Sequence, residues 1–112
     1  MRDKIRARAQ PLLEPGEQIQ EIFPARTILR GGGGVAAKRW IVAATDRGIV
    51  VLSAKLFSQT TPRSVAVRLP RETRLGPVHG TMGVAELKVK VEDRPILVQR
   101  RFYPDVERAD AR

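Results

Sequence analysis

The stretch RWIVAATDRGIVVL, residues 39–52, decides the fold class because two apolar runs meet across a short polar segment. The runs belong to predicted strands over residues 37–46 and 49–54, which are rich in Val, Ile and Ala. Between them, TDRG at 45–48 supplies the polar and glycine residues of a tight hairpin turn. The stretch therefore predicts an antiparallel β-hairpin.

A second strong pattern is VAELKVKVE, residues 84–92, in which apolar and charged residues alternate. The apolar set is Ala85, Leu87, Val89 and Val91, and the charged set is Glu86, Lys88, Lys90 and Glu92. Because successive side chains of a strand point to opposite faces, this alternation indicates an antiparallel strand with one face buried.

Weaker β-patterned segments complete the predicted strands. They lie at residues 18–29, 65–70, around 74–78 and 95–100. Pro24 falls inside the first of them and should lie at a sheet edge or a bulge, since proline cannot donate to the strand ladder. The chain thus carries about seven short strands, the spacing of an all-β sandwich or barrel.

The predicted strands are framed by a helix at each end. DKIRARAQPLL at 3–13 has apolar residues at helical spacing, and Pro11 should end the helix early. FYPDVERADAR at 102–112 reads as a closing helix that turns Val106 and Ala109 inward. Packing this helix over an open barrel end would bury both residues together with Phe102.

Composition points to one globular domain with a basic surface. The chain has 112 residues, with 21 basic and 12 acidic residues and a net charge of +9. This surplus attracts polyanions, although a solvated basic surface without a dedicated partner is the favoured interpretation. The absence of cysteine excludes a disulfide, a thiolate metal site and a cysteine nucleophile.

The first residues, MRDKIRARAQPLL, are basic and lack the apolar run of a signal peptide. No apolar run in the sequence approaches the length of a membrane span. The expected location is the cytoplasm, with peripheral contact at the inner face of the membrane left open.

Three segments resemble bacterial pleckstrin-homology-like (PH-like) domains: LLEPGEQI at 12–19, RWIVAATDRGIVVL at 39–52, and LPRET at 69–73. In that family a helix and a Gly-Glu turn lead into the first strand, and a Thr-Asp-Arg turn joins two apolar strands. The resemblance is one of pattern and covers most of the chain.

The resemblance implies a mainly β fold: a bent PH-like barrel of about seven antiparallel strands with a short helix at each terminus. A single domain would then cover 1–112. Its parts would be an N-terminal helix within 1–13, a β-barrel over 18–101 and a C-terminal helix over 103–112.

Four consecutive glycines, residues 31–34, are followed by a basic pair. Glycine lets backbone N–H groups approach a phosphate, but the run lacks P-loop spacing and β-type residues come next. A flexible hairpin loop is therefore the favoured interpretation over a phosphate cradle. The candidate anion-contacting residues are Arg30, Gly31, Gly32, Gly33, Gly34, Lys38 and Arg39.

Relatives that bind phosphoinositides have a basic residue at the end of the first strand and a Lys/Arg-x-Arg pattern opening the second. Arg30 fits the first element, but the second would need a basic residue where this chain has Trp40. Lys38 and Arg39 are adjacent and should point to opposite faces of a strand. The expected result is weak attraction that does not distinguish among anionic groups.

No enzyme is predicted, and neither a cofactor nor a metal is expected. His79, the single histidine, has no nearby serine, cysteine or acid in a triad-like pattern, and no metal-ligand spacing is present. Glu14, Glu17 and Glu21 are candidates for acid–base chemistry, but they straddle a turn without an evident cleft.

The leading hypothesis for function is a non-catalytic PH-like module that binds a protein or an anionic surface through its loops or an exposed strand edge. A protein partner or self-association is expected first, a weak anionic lipid contact second, and nucleic acid less. The alternatives are an OB-like basic barrel that binds nucleic acid and a structural, self-associating domain. An apolar edge strand would favour self-association, whereas an arginine stripe beside exposed aromatics would favour nucleic acid.

Overall fold

The computed structural model describes residues 2–31, 34–55, 61–78 and 83–111. The regular elements, in chain order, are α1 (Arg2–Ala9), β1 (Ile19–Gly31), β2 (Gly34–Thr45), β3 (Ile49–Ala54), β4 (Pro62–Leu69), β5 (Val84–Val91), β6 (Arg94–Gln99) and α2 (Tyr103–Asp110). Short 3-10 turns follow α1 and precede α2. The expected mainly β fold with a helix at each end is confirmed.

The described strands form one antiparallel sheet in the order β4-β3-β2-β1-β6-β5. Strands β4 and β5 lie at its two ends and are not hydrogen-bonded to each other, so the sheet is open. The prediction of a closed barrel of about seven strands is therefore wrong in closure and in number, since the described sheet has six.

The missing strand is the one predicted around 74–78, which is irregular. Here the backbone N–H groups of Leu75 and Gly76 donate to the carboxylate of Asp110, each at 2.7 Å. The carbonyl oxygen of Leu75 accepts from the N–H of Lys88 at 2.7 Å. Because these polar groups find separate partners, the segment needs no strand ladder.

The β2–β3 hairpin is buried on both faces, which explains its unbroken apolar runs. On one face a core surrounds Trp40 and Val42 and includes Phe102, Val106 and Ala109 at α2. These three are at most 3% exposed, as predicted for the closing helix. On the other face a second core gathers around α1; its buried members are Ile5, Ala9, Leu13, Ile19, Ile22, Ile41, Ala43, Val50 and Leu52.

The turn between β2 and β3 lies where TDRG predicts it. The N–H of Thr45 donates to the carbonyl oxygen of Gly48 at 2.8 Å. A Cβ atom at Gly48 would lie 2.3 Å from the carbonyl oxygen of Leu69, closer than van der Waals contact permits. Glycine is therefore required because the backbone of β4 passes directly over the turn.

Strands β1 and β2 extend further into the glycine run than predicted, since Gly31 pairs with Gly34. Pro24 lies inside β1, an interior strand, and is opposite Ile41 without a bulge. The recorded pairing of β1 with β6 is confined to Arg26 and Leu97. A residue without an N–H donor is tolerated because β1 is fully laddered on only one side.

Candidate functional site

The predicted anion-contacting residues that the structure describes lie along the β1–β2 pair. Gly31 and Gly34 close the β1–β2 ladder, and Arg30 lies opposite Val35 within it. Gly32 and Gly33 lie outside the described residues. The two glycines that are placed therefore belong to strands rather than to a loop around an anion.

Lys38 has a carboxylate partner of its own. Its Nζ donates to Oε1 of Glu92 at 3.0 Å and to Oε2 at 3.3 Å, and it lies 4.7 Å from the centroid of the Trp40 ring. The ring in turn donates from Nε1 to the hydroxyl of the buried Thr27 at 3.0 Å. The charge of Lys38 is thus held on the face of β2 that carries Trp40.

Arg39 lies on the opposite face, where it lines a cleft of about 70 Å³. Arg26 lines the same cleft and is the direct cross-strand partner of Arg39 in the β1–β2 pair. The other lining residues are Pro24, Ala25, Ala37, Trp40, Leu97 and Gln99. Arg26 was not singled out from the sequence, although it and Arg39 are equally distant from the centre of the glycine run.

A buried carboxylate organises the other end of the sheet. Glu17 is 0% exposed, and its Oε1 and Oε2 accept from the two terminal nitrogens of Arg68 at 2.7 and 3.2 Å. Its Oε2 also accepts from the hydroxyl of Thr45 at 2.6 Å, and its Oε1 accepts from the N–H of Glu14 at 3.1 Å. Each carboxylate oxygen therefore has two donors.

The hydroxyl of Thr45 continues this network into the β2–β3 turn, where it accepts from the N–H groups of Arg47 and Gly48 at 3.1 and 3.2 Å. The network joins the segment before β1, the turn and strand β4. Two of these segments, 12–19 and 39–52, are ones on which the sequence resemblance rests, and the network gives them a structural role.

The hydrogen bonds from Arg68 lower the pKa of Glu17 to about 2, against the opposing effect of burial. The hydroxyl of Thr45 and the N–H of Glu14 contribute to this lowering in the same direction. A carboxylate held ionised in this way is a poor general acid or base near neutral pH. Glu17 therefore acts as a fixed negative charge that holds three segments together.

Strand β4 presents an open edge. It pairs with β3 on one side, and within the described ranges β3 is its one strand partner. Residues 63–66 are exposed, and Val65 is 37% exposed, which is unusual for a large apolar side chain in this protein. At the other end of the sheet, the N–H of Lys88 in β5 is already bonded to Leu75. Strand β4 is thus the more accessible edge.

The described aromatic side chains are directed into the protein. Phe23, Trp40 and Phe102 are at most 3% exposed, and Tyr103 is partly buried. Phe57 lies outside the described residues. Base stacking needs aromatic rings on an exposed face, so these four residues do not form a nucleic-acid-binding platform.

Among the described residues, no three His, Cys, Asp or Glu side chains are grouped in a way that could hold a metal ion. His79 lies outside the described residues. Neither described helix has the length and apolar character needed to cross a bilayer.

Comparison of the chain with protein-family models, curated proteins and solved structures finds no match. The resemblance to PH-like domains therefore stays a prediction based on three sequence segments.

Proposed function

We propose that this protein is a non-catalytic interaction module that binds an extended segment of a partner protein along the edge of β4. The observation that carries the proposal is that edge: a strand of eight residues, six of them paired with β3 on one side, with exposed side chains from 63 to 66. In an antiparallel strand, alternate backbone groups point away from the existing partner. These groups are available to a further strand.

The partner segment should be acidic. Arg63 is exposed on β4, and the chain carries a net charge of +9. Two copies of so basic a chain repel each other, whereas an acidic segment is attracted. An acidic segment rich in β-branched residues would place carboxylates near Arg63 and favour the extended conformation that strand addition requires.

We also propose that the chain folds as a domain similar to the bacterial PH-like domains. It is supported by the antiparallel order of the strands and by a C-terminal helix that packs its apolar side on the sheet. The open end between β4 and β5 is where the proposed partner strand would add.

The test uses a synthetic peptide of alternating Glu and Val, with a Lys–Val peptide as the charge-reversed control. Amide chemical shifts are followed by NMR during titration. The Glu–Val peptide should shift the amides of β4, and the Lys–Val peptide should not. Val65→Glu, which removes the apolar contact and repels the acidic peptide, should weaken binding about tenfold, equivalent to about 1.4 kcal/mol. Val65→Thr, which keeps the β-branched shape, should retain most of it.

Shifts that avoid β4, or equal binding of both peptides, would refute partner binding at this edge. Sedimentation equilibrium addresses the alternative. A dimer that is disrupted by Val65→Lys would assign the edge to self-association instead.

A further inference from the structure

We propose that the cleft between Arg26 and Arg39 binds an oxyanion, either a carboxylate or a phosphate group. The two arginines are direct partners across the β1–β2 pair and line the same cleft together with Gln99. This site lies two strands away from β4 in the sheet order, so it is independent of the proposed partner-binding edge.

The first argument is electrostatic. Like charges placed directly opposite each other on neighbouring strands destabilise the pair. Several cations of the described chain have carboxylate partners, among them Lys38 with Glu92, Arg68 with Glu17 and Arg108 with Glu21. Neither Arg26 nor Arg39 takes part in an ion pair among the described residues. A bound anion would attract both guanidinium groups and would offset the repulsion between them.

The second argument is a buried donor. The Nε–H group of Arg26 is buried and has no hydrogen-bond acceptor among the described residues. Buried donors without an acceptor are rare in folded proteins. Leu97 on β6 lies between Arg26 on β1 and Glu86 on β5, because it is the cross-strand partner of both. No ion pair joins Glu86 to Arg26. An oxyanion in the cleft would supply the acceptor.

The third argument concerns shape. A guanidinium group presents a planar fork of N–H donors that matches the oxygens of a carboxylate or a phosphate. Gln99 can add an amide N–H donor at the wall of the cleft. The volume of about 70 Å³ is well below the roughly 300–1,000 Å³ of small-molecule pockets. The cleft therefore suits one anionic group rather than a whole multiply phosphorylated molecule.

The experiment follows the Nε–Hε signals of arginine by ¹⁵N NMR. Sodium phosphate and sodium acetate are titrated separately, and sodium chloride at matched ionic strength is the control. The expected result is a saturable shift of the Arg26 signal with phosphate, acetate or both, with half-saturation in the millimolar range. The two anions distinguish phosphate from carboxylate as the preferred group.

Variants then test whether the shift of the Arg26 signal depends on both Arg26 and Arg39. Arg39→Gln should weaken binding about tenfold, whereas Arg74→Gln, which removes an exposed charge between β4 and β5, should leave it unchanged. Arg26→Lys keeps the charge and removes the fork, and it should also weaken binding. The backbone amide spectrum reports whether each variant is folded.

An Arg26 signal that moves equally with chloride, or that does not move at all, would overturn the proposal. Equal loss of affinity in Arg39→Gln and Arg74→Gln would also overturn it, because binding would then follow net charge rather than the cleft.

Discussion

At the scale of single residues, the network around Glu17 is a buried polar contribution to the stability of the fold. Its carboxylate is 0% exposed and paired by Arg68, whose side chain is 34% exposed. We expect Glu17→Gln to lower the free energy of unfolding by about 2–3 kcal/mol, less than for a fully buried ion pair. The loss leaves the guanidinium of Arg68 without its strongest acceptor. Chemical denaturation at neutral pH measures this change in the free energy of unfolding.

The same residue predicts a pH dependence. The pKa of Glu17 is lowered from an ordinary value of 4.5 to about 2. The folded state therefore binds this proton more weakly than the unfolded chain. The stabilisation is fully present above about pH 5 and is lost as the pH falls through about 2. The stability difference between the protein and Glu17→Gln should be constant from pH 7 to about 5 and then shrink.

Glu72→Gln serves as the control for this pH series because Glu72 is exposed in the turn after β4. Its stability should follow that of the unmodified protein. A difference for Glu17→Gln that stays constant down to pH 2 would show that packing, rather than charge, explains its effect.

Gly48 gives a second prediction at this scale. We expect Gly48→Ala to destabilise the protein by about 2–4 kcal/mol, because the added Cβ would lie 2.3 Å from the carbonyl oxygen of Leu69. Gly34→Ala is the matched control, since no atom lies within 4 Å of its Cβ position. Thermal unfolding compares the two. Equal melting temperatures would contradict the steric role of Gly48.

At the scale of elements, the backbone conformation of the β5–β6 turn lowers the stability of the protein, and a substitution can relieve this. Glu92 and Asp93 both adopt the left-handed conformation, with φ of 52° and 62°. Two-residue hairpin turns of this type favour glycine at the second position. Asp93→Gly should therefore raise stability by about 0.5–1 kcal/mol. Asp93→Ala removes the same charge but keeps a Cβ, so it should give no gain. A lower melting temperature for Asp93→Gly would refute the prediction.

Helix α2 also holds the loop between β4 and β5. The carboxylate of Asp110 accepts from the N–H groups of Leu75 and Gly76. Asp110→Ala should accelerate amide exchange of both residues about tenfold or more, with a loss of about 1–3 kcal/mol. Glu107→Ala, an exposed change on the same helix, controls for helix propensity. Unchanged exchange at Leu75 would show that its burial suffices to hold the loop.

At the scale of the whole molecule, the net charge of +9 predicts diffuse attraction to anionic surfaces. Lys38 is paired with Glu92, and Arg39 lies on the other face of β2, so these side chains do not converge on one head group. Vesicle co-sedimentation should track total negative charge and fade with salt, since the screening length is about 8 Å at physiological ionic strength. Salt-resistant preference for one phosphoinositide at matched vesicle charge would contradict this.

The sequence predicts an element of this molecule correctly where the structure of that element depends on neighbouring residues. The TDRG turn depends on residues within the hairpin, and the alternation from 84 to 92 directly specifies the buried face of β5. The segment around 74–78 shows the opposite situation. Its backbone partners are Asp110 and Lys88, which are distant in sequence, so no local pattern reveals that it is irregular.

The candidate sites also divide into features that local sequence predicts and features that depend on residues distant in the chain. Strand alternation alone separates Lys38 from Arg39, and the structure places them accordingly. The pairing of Arg26 with Arg39 requires the register of β1 and β2, which depends on where the turn closes within the glycine run. The accessibility of β4 depends on which strands lie at the ends of the sheet, and sequence alone does not order them.

The sequence by itself determined the strand-rich composition, the β2–β3 hairpin and the terminal helices, because hydrophobic periodicity and turn chemistry act over a few residues. Only the tertiary structure decided that the sheet stays open, that Glu17 is buried against Arg68 and that two arginines share one cleft. These features join residues far apart in the chain. Their energies depend on burial and distance in three dimensions, which a one-dimensional pattern does not contain.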